Sequence, residues 1–134
     1  MLKYLLDTNI CIFTMKNKPQ IVRDAFNRHD GQMCISSVSL MELIVGAEKS
    51  LQVERNLRAI EGFTARLVVL PYDVGAANHT GQIRADLERK GTPVGAYDYM
   101  IAGHARSQGL IVVTNNRREF DRVPGLRVED WTAQ

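Results

Sequence analysis

Four short runs of apolar, β-favouring residues, Leu2–Leu6, Met33–Ile35, Leu67–Leu70 and Leu110–Thr114, constrain the fold of this chain more than any other feature. Each run is continuous and not alternating, so each predicts a strand buried on both faces, as in a parallel sheet covered by helices. A fifth, shorter run lies near Leu126–Val128. Helical spacing fills the intervals. Leu40, Leu43, Ile44 and Ala47 recur at that spacing after the second run, with Ser36, Ser37 or Ser39 as the cap. Asp73 reads as the N-cap of a stripe through Ala76, Ile83 and Leu87 that stops near Gly91. After the loop Thr92-Pro93-Val94-Gly95 a further helix starts near Tyr97. Ile21, Val22, Ala25 and Phe26 predict an amphipathic helix between Lys16 and Asp30, and Gln52–Phe63 reads similarly. No linker, repeat or low-complexity tract interrupts the 134 residues. The expectation is one α/β domain over residues 1–134, with roughly five mostly parallel strands and helices on both faces.

An open parallel sheet binds its ligands beyond the carboxyl ends of the strands. That rule singles out Asp7, which ends the run in YLLDTN, and Thr114-Asn115-Asn116, with Glu119 and Asp121 just beyond. Glu42 stands among Val38, Met41 and Val45 on one side of its helix and Leu40, Leu43, Ile44 and Ala47 on the other. A helix apolar on every face is expected to be buried, and a buried carboxylate must be paired or bound to a cation. Asp98, in GAYDYMIAGHA, sits at the junction of the Pro/Gly loop and an apolar helix. Each acid also has an ordinary role open to it: Asp7 as a helix N-cap, Asp98 as a first-turn acid favoured by the macrodipole, Glu42 as a surface glutamate.

If Asp7, Glu42, Asp98 and Glu119 converge, four like charges repel one another and destabilise the fold unless a divalent ion lies between them. An all-oxygen set suits Mg²⁺ or Mn²⁺ and not zinc, which favours His or Cys. The two cysteines, Cys11 and Cys34, form no metal or redox spacing. His79 and His104 fall in apolar stripes and read as packed or capping residues, and His29 as solvated. A Gly-rich phosphate loop is absent from the sequence. The haloacid-dehalogenase phosphatase pattern fails too, because the position two residues after the first acid is Asn9.

LLDTN at Leu5–Asn9, SSVSLMEL with Glu42, PVGAYDYMIAGHA with Asp98, and VVTNNRREF at Val112–Phe120 occur in an order and spacing that resemble the PIN-domain ribonucleases. Within them the resemblance is to the VapC toxins of bacterial toxin–antitoxin pairs, over essentially the whole chain. It implies a metal-dependent endoribonuclease using Mg²⁺, with Mn²⁺ as a substitute. Asp7, Glu42 and Asp98 then map to the family's acidic positions, Asp7 and Asp98 as metal ligands, with Thr8 and Thr114 as hydroxyl support. Many family members have Asp where this chain has Asn116. Glu119, one helical turn on, is taken as the fourth acid, with Asn116 hydrogen-bonding nearby and Asp121 placed at the surface. Water as the nucleophile would leave a 5′-phosphate and a 3′-hydroxyl, whereas attack by the ribose 2′-hydroxyl would leave a cyclic phosphate.

The net charge of +2 proves no anionic partner by itself. Setting the four site acids aside leaves 11 of the 15 acidic residues against 17 basic ones, a cationic remainder suited to a phosphate backbone. Lys16, Lys18, Arg117, Arg118 and Arg122 are the basic residues nearest the expected site. The resemblance also implies a structured RNA substrate, tRNA and in particular initiator tRNA in its anticodon region. It implies inhibition by a small VapB-type antitoxin, homodimers within a larger toxin–antitoxin assembly, and operator DNA reached only through the antitoxin. Two other functions remain open at this stage: an RNA-binding module that does not cut, and a nuclease acting on DNA. No apolar run approaches the ~18 residues that span a bilayer, and no signal pattern begins the chain, so the sequence reads as a soluble cytoplasmic protein with no membrane partner.

Overall fold

The computed structural model describes residues 1–132. Its elements follow the expected alternation: β1 (Tyr4–Leu6), α1 (Thr8–Lys16), α2 (Gln20–Arg28), β2 (Met33–Ser36), α3 (Ser37–Glu48), α4 (Val53–Thr64), β3 (Val68–Leu70), α5 (Val74–Arg89), α6 (Ala96–Gln108), β4 (Ile111–Val113), α7 (Arg117–Phe120) and β5 (Val128–Glu129). All four strand pairings are parallel, in the order β3-β2-β1-β4-β5. Parallel neighbours require crossover connections, which the helices supply. Among the described residues no helix is long and apolar enough to cross a membrane.

Strand residues point alternately to the two faces, and both faces of β1, β2 and β4 are covered, whereas the edge strand β3, expected to be buried like the others, leaves Val68 45% exposed. Tyr4, Leu6, Met33, Ile35, Ile111 and Val113 pack in one core with Ile10, Phe26, Leu43, Ile60 and Phe63 from α1 to α4. Leu5, Cys34 and Val112 pack in the other with Ile83, Leu87, Tyr99 and Ile101 from α5 and α6. This double burial is why the runs read as continuous. Burial also pushes the thiol of Cys34 up to about 12 and that of Cys11 well above its usual value, so both are inert.

Several expectations need correction. The amphipathic helix expected between Lys16 and Asp30 is α2, shorter than that stretch: Lys16 ends α1, Asn17 is left-handed at φ 55°, and α2 begins only after Pro19. Proline has no N–H for a helix ladder, so the chain restarts there. The fifth strand is Val128–Glu129 and not Leu126–Val128, because Val112 and Val113 of β4 pair with those two residues. Nor is α3 buried all round. Leu43 and Ala47 are buried, while Met41, Ile44 and Val45 are 36%, 38% and 46% exposed. His29 is half-buried, not solvated, with its ring 4.6 Å from that of Tyr4 and 5.0 Å from that of Trp131.

The close crossing of α5 and α6 depends on Gly103. A Cβ there would stand 2.0 Å from Thr80 Oγ1 and 2.6 Å from the Thr80 backbone nitrogen. Because backbone cannot move aside as a side-chain tip can, Gly103→Ala is expected to destabilise the fold by about 3 kcal/mol. Urea unfolding checks this; a loss below about 0.5 kcal/mol, the level of an ordinary surface change, would mean the helices can part without cost.

Candidate active site

Strand register builds the site. Leu6 pairs with Val113, so Asp7 and Thr114 emerge side by side where β1 and β4 end. Val113 pairs in turn with Glu129, which brings Asp130 to the same edge. Asp7 is 4% exposed and is the N-cap of α1, its Oδ1 accepting the Ile10 N–H at 2.9 Å. Its Oδ2 accepts a short hydrogen bond from the Thr114 hydroxyl, whose oxygen accepts the Asn116 N–H at 2.8 Å. Asn116 therefore contributes through its main chain. The capping role and the site role fall on the same residue, because a cap leaves the second carboxylate oxygen free for another partner.

Glu42 is half-buried on α3, with Oε1 accepting from Thr8 Oγ1 at 2.6 Å, and Ser39 Oγ lies 3.1 Å from the same Thr8 oxygen. Asp98 stands in the first turn of α6. Asp7, Thr8, Asn9, Ile12, Glu42 and Asp98 together line a cavity of about 280 Å³. Glu119, on α7, is not among the residues lining the cavity but lies near enough to Asp98 for its charge to be felt there. Asp121 is exposed and paired with Arg117 at 3.0 Å, as its surface placement required.

The charges of these groups are felt. Burial pushes the Asp7 carboxyl from 3.8 up to about 6, against the hydrogen bonds from Thr114 and Ile10, with repulsion from Glu42 and Asp130 adding to the rise. Burial also raises Asp98, from 3.8 to about 7, followed by the hydrogen bond and charge of Glu119 and then the charges of Asp7 and Glu42. The four acids thus form one electrostatic unit short of positive charge.

Among the described residues no three His, Cys, Asp or Glu side chains are drawn together as the ligands of one ion. The carboxylates ring the cavity without closing on a point. That arrangement fits Mg²⁺, which keeps several of its waters and is held by one or two carboxylates. The three histidines lie elsewhere: His29 on Trp131, His79 bonded by Arg106, and His104 fully buried.

Of the basic residues, Lys16 lines a larger groove of about 570 Å³ between α1, α3 and α4, beside Arg55 and over Leu43, Ala47 and Ile60. Glu42 and Ile12 line both groove and acidic cavity, so the two are continuous. Lys18 and Arg118 are exposed. Arg117 is engaged with Asp121, and Arg122 donates to the Pro93 carbonyl at 3.0 Å, tying the α7 corner to the loop before Asp98. Arg55, Ser39 and Asp130 were missed in the sequence. Asp130 was legible in principle as the acid just after the last strand, and the misplaced strand end hid it.

The PIN-domain family model matches residues 4–126. The chain is 69% identical over 131 residues to the tRNA(fMet)-specific endonuclease VapC of Salmonella typhimurium, spanning 98% of this chain and 99% of that one. To the protein of the same description from Shigella flexneri it is 70% identical over 132 residues, spanning 98% and 100%. Among solved structures, one of DNA-bound VapBC from Salmonella typhimurium superposes with a TM-score of 0.93 at 69% identity, covering 98% and 99% of the two chains. With a matching family model, near-complete coverage and the same fold, this chain belongs to the PIN-domain family, in its VapC branch.

Proposed function

We propose that residues 1–134 form a single PIN-domain endoribonuclease toxin that depends on a divalent metal ion and cuts tRNA, with initiator tRNA in its anticodon region as the target. The observation that carries this reading is the cavity lined by Asp7, Glu42 and Asp98, with Glu119 near Asp98, where burial first and the neighbouring acids after it hold Asp7 and Asp98 well above their ordinary values. The tRNA(fMet) specificity named for the two relatives near 70% identity supports the choice of substrate.

Asp7 and Asp98 would hold Mg²⁺ or Mn²⁺. Such an ion supplies a water acidified for attack and charge neutralisation on the phosphoryl oxygens. The chain's own part is placement. Thr114, fixed by the Asn116 N–H, orients Asp7. Thr8 holds Glu42 toward the cavity, and Glu119 adds a further acid beside Asp98. Hydrolysis adds water oxygen to phosphorus and breaks the bond to the 3′ oxygen, leaving a 5′-phosphate and a 3′-hydroxyl. A 2′-hydroxyl route would instead leave a cyclic phosphate, so the ends of the products separate the two.

Lys16 and Arg55 flank Glu42 in the groove, where they suit phosphates on the strand either side of the cut. Lys18, Arg117, Arg118 and Arg122 extend the basic surface with weaker support. A VapB-type antitoxin as partner is supported by the similar solved complex, a DNA-bound VapBC. The exposed Met41, Ile44 and Val45 support a homodimer within that assembly. The proposed place of action is the cytoplasm.

The test is incubation of the purified protein with total RNA in Mg²⁺, Mn²⁺ or chelator, with excess DNA as competitor, followed by mapping of new ends. Discrete cuts in tRNA bearing 5′-phosphates, abolished by chelator, are expected. Cyclic-phosphate ends, cutting that survives the chelator, suppression by DNA, or RNA binding without cuts would each defeat the proposal.

A further inference from the structure

The helices that carry Glu42 and Asp98 are joined behind the cavity by one buried hydrogen bond. Ser36 ends β2, and its hydroxyl oxygen accepts the Val38 N–H at 3.1 Å, capping α3. His104 on α6 brings Nδ1 to 2.8 Å from the same oxygen, and both residues are fully buried. Among the described residues this is the one side-chain hydrogen bond between α6 and the β2–α3 corner. The remaining polar ties of α6 run to α5 or to nearby loops, such as Arg106 to His79, Gln82 and Pro124. Glu42 stands six residues after Ser36, and Asp98 six before His104, nearly two helical turns in each case.

The chemistry of the pair points to a joint and not to packing. Nδ1 and the Ser36 oxygen share one hydrogen-bond proton, given by either partner according to the imidazole tautomer, while the oxygen also accepts the Val38 N–H. Burial disfavours the charged imidazole. Nε2 is buried and, among the described residues, has no partner. An apolar ring of similar size would fill the space beside Tyr72 without leaving a polar atom unsatisfied. A core selected for stability alone has no use for histidine here; a fixed hydrogen bond to Ser36 does.

We propose that the Ser36–His104 hydrogen bond is a positioning joint, fixing α6 against the start of α3 and so setting the separation of Asp98 and Glu42 across the cavity. The proposal rests on the cation-site reading above. Neither residue touches the cavity, so both act through the acids they hold.

His104→Phe keeps the ring volume, leaves the Ser36 cap intact and deletes Nδ1. His104→Asn keeps a polar atom near the Nδ1 position but leaves a void. The measurements are melting temperature, Mn²⁺ affinity from the electron paramagnetic resonance of free Mn²⁺, and kcat and KM on a tRNA substrate. His104→Phe is expected to melt at or above the parent temperature while its Mn²⁺ affinity and kcat fall about 10-fold with KM unchanged. His104→Asn is expected to melt lower yet recover most of both. Parent-like Mn²⁺ binding and kcat in His104→Phe overturn the joint, as do losses in both variants that simply follow their melting temperatures. Asp98→Asn is the control: if it also binds Mn²⁺ like the parent, the cation-site reading has failed and the joint falls with it.

Discussion

Asp7→Asn is expected to cut cleavage by about 10³-fold while making the metal-free protein more stable at pH 8. The substitution is nearly isosteric and keeps an oxygen to accept the Ile10 N–H, so α1 stays capped. It removes a negative charge that is 4% exposed and opposed by Glu42 and Asp130. A rise from 3.8 to about 6 is about two pH units, or about 3 kcal/mol of unfavourable ionisation relieved at pH 8. The weakened hydrogen bond from Thr114 takes back part of that gain, leaving about 1–2 kcal/mol. Activity is lost because an amide is a poor ligand for a hard cation. Urea unfolding in chelator, beside single-turnover cleavage in Mg²⁺, reads both quantities. A variant that is inactive and also less stable would mean Asp7 is a structural cap first; one with a tenth or more of parental activity would remove it from the catalytic set.

Removing divalent ions should make stability fall as pH rises, the reverse of the usual acid sensitivity of carboxylates. Asp7 and Asp98 titrate near 6 and near 7 in the folded chain, both above 3.8. Between about pH 4 and 7 the folded state therefore binds more protons than the unfolded state. Their contribution is fully present below about pH 4 and is lost as pH climbs through 6 and 7. Added Mg²⁺ should reverse the loss, and it should do so at pH 8 far more than at pH 5, where both groups are largely protonated. At a concentration 100 times its dissociation constant the ion contributes about 2.7 kcal/mol, or about 10 °C in melting temperature for a chain of this size. Melting curves at pH 5 and pH 8, with chelator or with Mg²⁺, give the comparison. Equal shifts at the two pH values would show that the ion binds somewhere other than these carboxylates.

The parallel sheet was legible because its three inner strands, β1, β2 and β4, are buried on both sides, and a strand of that kind leaves an unbroken apolar run in the sequence. Asp7 and Thr114 were legible for a related reason, since the residue after a parallel strand faces the ligand edge. Asp98 followed from its loop-to-helix junction. Glu42 reached the right place through a wrong premise: α3 is not enclosed, and its half-buried carboxylate is oriented by Thr8, a contact 34 residues away that no local pattern encodes. Asp130 escaped because register, not composition, sets where β5 ends. The Ser36–His104 bond spans 68 residues, and an apolar stripe around a histidine says only that it is inside.

The pairing of β1 with β4 has a consequence in time. Asp7 is made 107 residues before its partner Thr114. Synthesis at 5–20 residues per second puts roughly 5–20 s between them. Until β4 emerges, β1 lacks the neighbour that gives it its place in the sheet, and Thr114 is not there to turn the Asp7 carboxylate. A nascent chain cut short before β4 therefore lacks the Asp7–Thr114 pair however much of α1 to α6 it has folded.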